Sequence, residues 1–110
     1  MLSKPADKVI FTDNDLENSF LSLSEEDILK KAIKRTIIRL KENIFAGKNI
    51  PKKQIPKVYT MKYGIDNLWR YPLPNGWRLV YSVMPLNENF LLANIIDFFD
   101  HKTYERVFNY

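Results

Sequence analysis

Two apolar runs of period two, residues 68–73 and 77–84, flank Pro74-Asn75-Gly76. Asn-Gly occupies the positive-φ positions of a tight turn at little steric cost, so the stretch has few alternatives to an antiparallel β-hairpin. In the second run Trp77, Leu79, Tyr81 and Val83 share one face, and Arg78, Val80, Ser82 and Met84 share the other. Pro72 has no N–H to donate, which predicts that the first strand lies at an edge or bulges there. Residues 90–99 read as a third strand, reached through residues 85–89. Asp100 reads as the N-cap of a closing helix over residues 101–108.

Upstream the period changes to that of a helix. Leu29, Ile33, Ile37, Leu40 and Ile44 recur at steps of four, four, three and four, with Lys30, Lys34, Arg35, Arg39 and Lys41 in the other directions. Ser24 is the expected N-cap, with Glu25, Glu26 and Asp27 in the first turn, Leu23 stapled onto Ile28, and Gly47 as the left-handed residue that ends the helix. Its β-branched content (Ile33, Thr36, Ile37, Ile38) lowers intrinsic propensity, so packing must hold it. Pro51 and Pro56 punctuate a loop, with Pro56 expected at N1 of a short helix through Tyr63, closed by Gly64, in preference to an extended run from Val58 to Tyr63. Residues 8–12 read as a first strand or arm, and 15–21 as a helical turn. The prediction is one α+β domain over residues 1–110, with an N-terminal strand and helices packed on one face of a small antiparallel β-sheet and a short C-terminal helix. The other face of that sheet is expected to be free for binding.

Composition excludes several classes of function. With no cysteine, the 110-residue chain can have no disulfide, thiol nucleophile or iron-sulfur cluster. One histidine and scattered carboxylates do not make a zinc shell. The three glycines, at 47, 64 and 76, are too dispersed to cradle a phosphate, so no metal and no nucleotide or flavin cofactor is expected. The first thirteen residues lack the apolar core of a signal peptide and no run reaches membrane-spanning length, which predicts a soluble, cytoplasmic protein. The net charge of +4 is unevenly spread. Residues 1–27 carry seven acids against two bases, and residues 28–62 carry eleven bases against Glu42 alone. Such a basic segment suits either a solvated helix face or a polyanion-binding surface, with Lys30, Lys34 and Arg39 as candidate phosphate contacts.

The stretch Asn67-Leu-Trp-Arg-Tyr-Pro-Leu-Pro-Asn-Gly-Trp-Arg-Leu-Val-Tyr81, followed by Ile95-Ile-Asp-Phe-Phe-Asp-His-Lys-Thr-Tyr-Glu-Arg106, resembles the RelE/ParE superfamily of toxins. In that family a hairpin ends in a Gly-aromatic-Arg-hydrophobic-hydrophobic-Tyr strand, here Gly76 to Tyr81, and a last strand runs into a basic cluster with a nearby tyrosine, here His101, Lys102 and Tyr104. The match covers roughly the last 40 residues well and the preceding helices by order and length only. It implies the toxin of a type II toxin-antitoxin module, with a cognate antitoxin as partner. RelE-like members cleave messenger RNA on the ribosome without metal, whereas ParE-like members inhibit DNA gyrase. A third reading is a degenerate member that binds RNA or a partner without catalysis.

Metal-independent RNA cleavage needs a base for the 2′-hydroxyl, cations for the crowded phosphorane and an acid for the 5′ leaving oxygen. The resemblance assigns the strand arginine, Arg78, to the phosphate, against the alternative of an exposed sheet arginine pairing with a carboxylate. Histidine is suited to both accept and donate a proton near neutrality, which makes His101 the candidate for proton transfer, against the alternative of a polar side chain decorating a helix start. Lys102 and Tyr104 complete the expected catalytic set, with Tyr104 stacking on a base, transferring a proton or packing its ring on the sheet. Arg70 and Tyr71 are candidate RNA contacts on the neighbouring strand, and Trp69 between core and binding roles favours the core. Departures from the family are Trp69 and Tyr71 in place of a basic pair, and Lys102 in place of an arginine.

Overall fold

The computed structural model describes residues 3–108. The elements, in chain order, are β1 (Lys8–Phe11), α1 (Asn14–Leu21), α2 (Ile28–Glu42), β2 (Lys48–Ile50), α3 (Lys57–Tyr63), β3 (Leu68–Pro72), β4 (Arg78–Pro85), β5 (Leu91–Phe99) and α4 (His101–Phe108). A short 3₁₀ turn, Lys52–Gln54, follows β2. The strands form one mixed sheet in the order β1-β5-β4-β3-β2. All neighbours are antiparallel except β1, which runs parallel to β5.

The hairpin forms as its turn residues require. Asn75 (φ 60°) and Gly76 (φ 79°) both take the left-handed conformation, and Leu73 N–H closes the turn on Trp77 O at 2.9 Å. The α+β class, the β3–β4–β5 meander and the Asp100 cap, whose Oδ1 accepts from Thr103 N–H at 2.8 Å, match the expectation. Gly64 closes α3 in the left-handed region at φ 65°.

Alternation along β4 divides the core in two. Leu79 and Tyr81 are buried against Ile33, Leu40 and Ile44 of α2 and its C-terminal extension, with Phe20 of α1. Val80 faces the other way, into a second cluster of Tyr59 (α3), Phe99, Tyr104 and Phe108 (α4). Burying each such side chain stabilises the fold by about 1.5–3 kcal/mol, which is what holds a β-branched α2 in shape. In β5 a bulge opposite Val80 and Tyr81 sets Ile96 and Phe99 towards α3 and α4 while Ile95 and Phe98 stay on the α2 side.

Several expectations are corrected. The far face of the sheet is not free, because α3 and α4 cover part of it with the second cluster. The sheet is five-stranded and mixed rather than small and antiparallel: β1 joins it parallel to β5, and β2 adds antiparallel to the edge of β3, a three-residue strand too short to show a period. β3 is therefore second from the edge. Pro72 is tolerated because β2 pairs only with residues 68–70, leaving its missing donor beyond the ladder, and the bulge falls in β5 instead. Helix α2 is capped by Asp27, whose side chain accepts from Leu29 N–H at 2.8 Å, and Ser24 closes a turn ahead of it. Ile28 is left 61% exposed while Leu23 packs on the core, which is not a staple's geometry. The helix ends at Asn43, four residues before Gly47, and Pro56 sits at the N-cap of α3 rather than N1.

Candidate functional site

Three strands bring three cations to one face. Lys48 of β2 lies directly opposite Arg70 of β3, Arg70 opposite Val80, and Arg78 of β4 opposite Pro72, diagonal to Arg70. Because cross-strand partners point to the same side, all three side chains project from the face that carries α4. They line an open cavity of about 680 Å³ with Ala46, Gly47 and Pro72. No carboxylate lines it, and among the described residues none of the three has an ion-pair partner.

Tyr104 organises the two arginines. Its ring is 2% exposed, stacked on Phe108 at 4.5 Å and edge-on to Phe99 at 5.8 Å. Arg70 Nη1 donates to its hydroxyl at 2.8 Å. The Arg70 and Arg78 guanidinium carbons lie 5.8 and 5.3 Å from the ring centroid, within cation–π range. Arg78 Nη1 also donates to Gly76 O at 2.5 Å. Two forks are thus held side by side on a buried aromatic base, pre-organised for the oxygens of a phosphate. Of the roles open to Tyr104, the packed one is what its burial provides.

His101 opens α4 beside the hairpin turn, its Cβ 3.5 Å from where a Cβ on Gly76 would lie. Its Nε2 is 2.6 Å from Glu105 Oε1, an i,i+4 pair that orients the imidazole. Asp100 alongside has its carboxyl held below the usual range by the Thr103 amide and hydroxyl, with Arg106 and Lys102 adding to the effect. Lys102 is solvent-exposed in the first turn of α4. The arrangement can grip an anion and present a proton-transfer group at its edge. Among the described residues no group of three or more acidic, histidine or cysteine side chains is placed to hold a metal.

Other candidates lie elsewhere. Tyr71 is one step from Arg70 and so on the opposite face, packed against the α2 core. Trp69 joins it there, 5.2 Å from Phe45 and 6.4 Å from Tyr81. Lys30 is 4% exposed and structural, with Nζ donating to Leu21 O (3.2 Å), Leu23 O (3.0 Å) and Glu25 Oε1 (2.7 Å). Lys34 bonds the other Glu25 oxygen at 2.8 Å, and Arg39 lies 4.0 Å from Glu42. These two lysines together hold the Glu25 carboxyl down to about 2. Helix α2 and its lysines therefore stand on the opposite side of the sheet from Arg70 and Arg78.

Lys48 is the site residue that sequence reasoning missed. Its only local sign is the preceding glycine: a Cβ on Gly47 would meet Arg70 O and Tyr81 Oη, each at 2.8 Å. Tyr81 Oη accepts from Gly47 N–H at 2.9 Å and donates to Ile44 O at 2.8 Å, latching the α2–β2 connection against the sheet. Burial pushes that hydroxyl up to about 12. The hairpin motif thus supplies Arg78 directly and, through Tyr81, seats the segment that carries Lys48.

Compared with models of known protein families, with curated proteins and with solved structures, the chain gives no match. No helix among the described residues is long and apolar enough to cross a membrane.

Proposed function

We propose that the chain is the toxin of a type II toxin-antitoxin module, a RelE-like, metal-independent endonuclease of messenger RNA on the ribosome. The observation that carries this reading is the convergence of Arg70 and Arg78 on the buried Tyr104 ring, with His101 beside the same hairpin turn. In the reaction the 2′-oxygen bonds to phosphorus as its proton leaves, and the P–O5′ bond breaks as the 5′-oxygen takes up a proton. The products are a 2′,3′-cyclic phosphate and a 5′-hydroxyl. Arg70 and Arg78 stabilise the charge on the non-bridging oxygens, Lys102 adds a third cation near the helix start, and His101 moves a proton. Tyr104 acts as a positioning residue through the arginines.

Inducible expression in a bacterial host, with primer-extension mapping of message ends, tests this. Codon-phased cuts are expected for the wild type and are expected to fall about 100-fold or more in Arg78→Ala and in His101→Ala. Growth arrest with intact messages overturns the nuclease reading and points to a ParE-like inhibitor of gyrase. Cuts that persist unchanged in both variants overturn the assignment of the site.

A further inference from the structure

The cation row does not stop at the arginines. A second cavity of about 320 Å³, lined by Lys48, Asn49, Ile50, Pro51, Gln54 and Arg70, adjoins the first and shares Lys48 and Arg70 with it. Neither has a carboxylate in its wall. The two make one trough across the β2–β3 edge, with Arg78 at one end and Gln54 at the other. Lys52 and Lys53 follow on the exposed 3₁₀ turn.

Its charge is costly to the free protein. Like charges directly opposite across a strand pair destabilise a sheet, and Lys48 opposite Arg70 is such a pair, with no acid in ion-pair contact with either among the described residues. The seating is also specific, since Gly47 must stay without a side chain for β2 to lie this close to Tyr81 and Arg70. An anion between Lys48 and Arg70 would turn the repulsion into two charge-assisted contacts. Pro51, Pro72 and Ala46 contribute apolar lining, and Gln54 an amide for polar groups beside the anion.

We infer that Lys48 and Arg70 form a second phosphate subsite, which holds the backbone of single-stranded RNA one nucleotide away from the phosphate gripped by Arg70 and Arg78. Arg70 is shared between the two positions, and the strand runs over β3 towards the free edge of β2. The identity of the polyanion as RNA rests on the nuclease reading, while the existence of the subsite does not.

The test uses the purified full chain with His101→Ala to suppress cleavage, and a fluorescein-labelled oligouridylate of about ten nucleotides, read by anisotropy across a salt series. Adding Lys48→Ala is expected to weaken binding about tenfold and to reduce the slope of log K against log salt by about 0.7, the share of one phosphate on a single strand. Lys48→Arg is expected to restore both. Lys48 is exposed and its removal relieves the repulsion with Arg70, so a thermal midpoint equal to or above that of the parent chain separates lost binding from lost fold. Equal affinity and slope in the Lys48→Ala chain overturn the subsite, as does equal Lys48-dependent binding of polyglutamate, which would mark an acidic-protein surface. Cut-site mapping reports separately on the nuclease: Lys48-dependent RNA binding without cuts keeps the subsite and removes the nuclease, and cuts that persist with Lys48-independent binding do the reverse.

Discussion

Lys30 and Asp97 are charged side chains whose work is inside the fold. Lys30 spends its three donors on the carbonyls of Leu21 and Leu23 and on Glu25, so its ammonium satisfies the end of α1 and the turn into α2. Lys30→Ala removes the donor that these part-buried carbonyls share, and a loss of about 1–2 kcal/mol in unfolding free energy is expected, measured by urea titration. Asp97 is partly buried at the β5 bulge. It accepts from Phe98 N–H at 2.9 Å and from the Tyr59 hydroxyl at 3.5 Å, and faces Asp13 at the cap of α1 and Lys62 of α3. Burial raises its carboxyl, outweighing those hydrogen bonds. The folded state therefore holds this proton more tightly than the unfolded chain. Stability from Asp97 is full below its ordinary value near 3.8 and falls as pH rises through the raised one. Asp97→Asn keeps the amide contact and removes the charge. Thermal melts from pH 4 to 8 are expected to show an equal or higher midpoint at neutrality and a flatter fall above pH 4.

At the scale of elements, the parts with strong local codes formed where the residues indicate. Asn75-Gly76 has few turns open to it, the spacing of Leu29, Ile33, Ile37 and Leu40 has one buried face, and Asp100 has Thr103 three residues on. Strand β2 was not legible, because three residues carry no period and its place depends on contacts with β3 and Tyr81 far along the chain. The start of α2 departs from the Ser24 expectation for a related reason. Glu25 is drawn out of the first turn by Lys30 and Lys34, so Asp27 becomes the cap. Gly47 is where element and site meet. Gly47→Ala would push a methyl against Arg70 O and Tyr81 Oη, with about 1–3 kcal/mol of destabilisation expected in a thermal melt. The proposed binding of RNA is expected to weaken in this variant beyond what that loss explains, measured by anisotropy, as Lys48 leaves the row.

For the whole molecule, the parallel β1–β5 pair ties the two ends of the chain together. Asp7 N–H donates to Leu91 O at 2.9 Å and Thr12 N–H to Ile95 O at 2.8 Å, while Ile44 N–H reaches back to Lys4 O at 2.6 Å. Removal of residues 1–12 would leave the apolar β5 strand as an open edge and uncover Ala93 and Ile95. Such a chain is expected to elute as oligomers in size-exclusion chromatography, with the full chain as the reference.

Arg78, His101 and Tyr104 stand out only through the resemblance of roughly the last 40 residues, whereas the residues themselves dictate the α+β class, the hairpin and the amphipathic face of α2. These depend on short-range chemistry: backbone conformations that few residues adopt, periodicity, and caps within three residues. Which cations share a surface depends on strand pairing across the folded chain. Lys48 joins Arg70 and Arg78 across three strands, whereas Lys30, close in sequence to a basic helix face, is drawn inside. Adjacent residues of a strand point to opposite faces, so Arg70 and Tyr71 part company. Charges distant in the chain meet only where strand register places them.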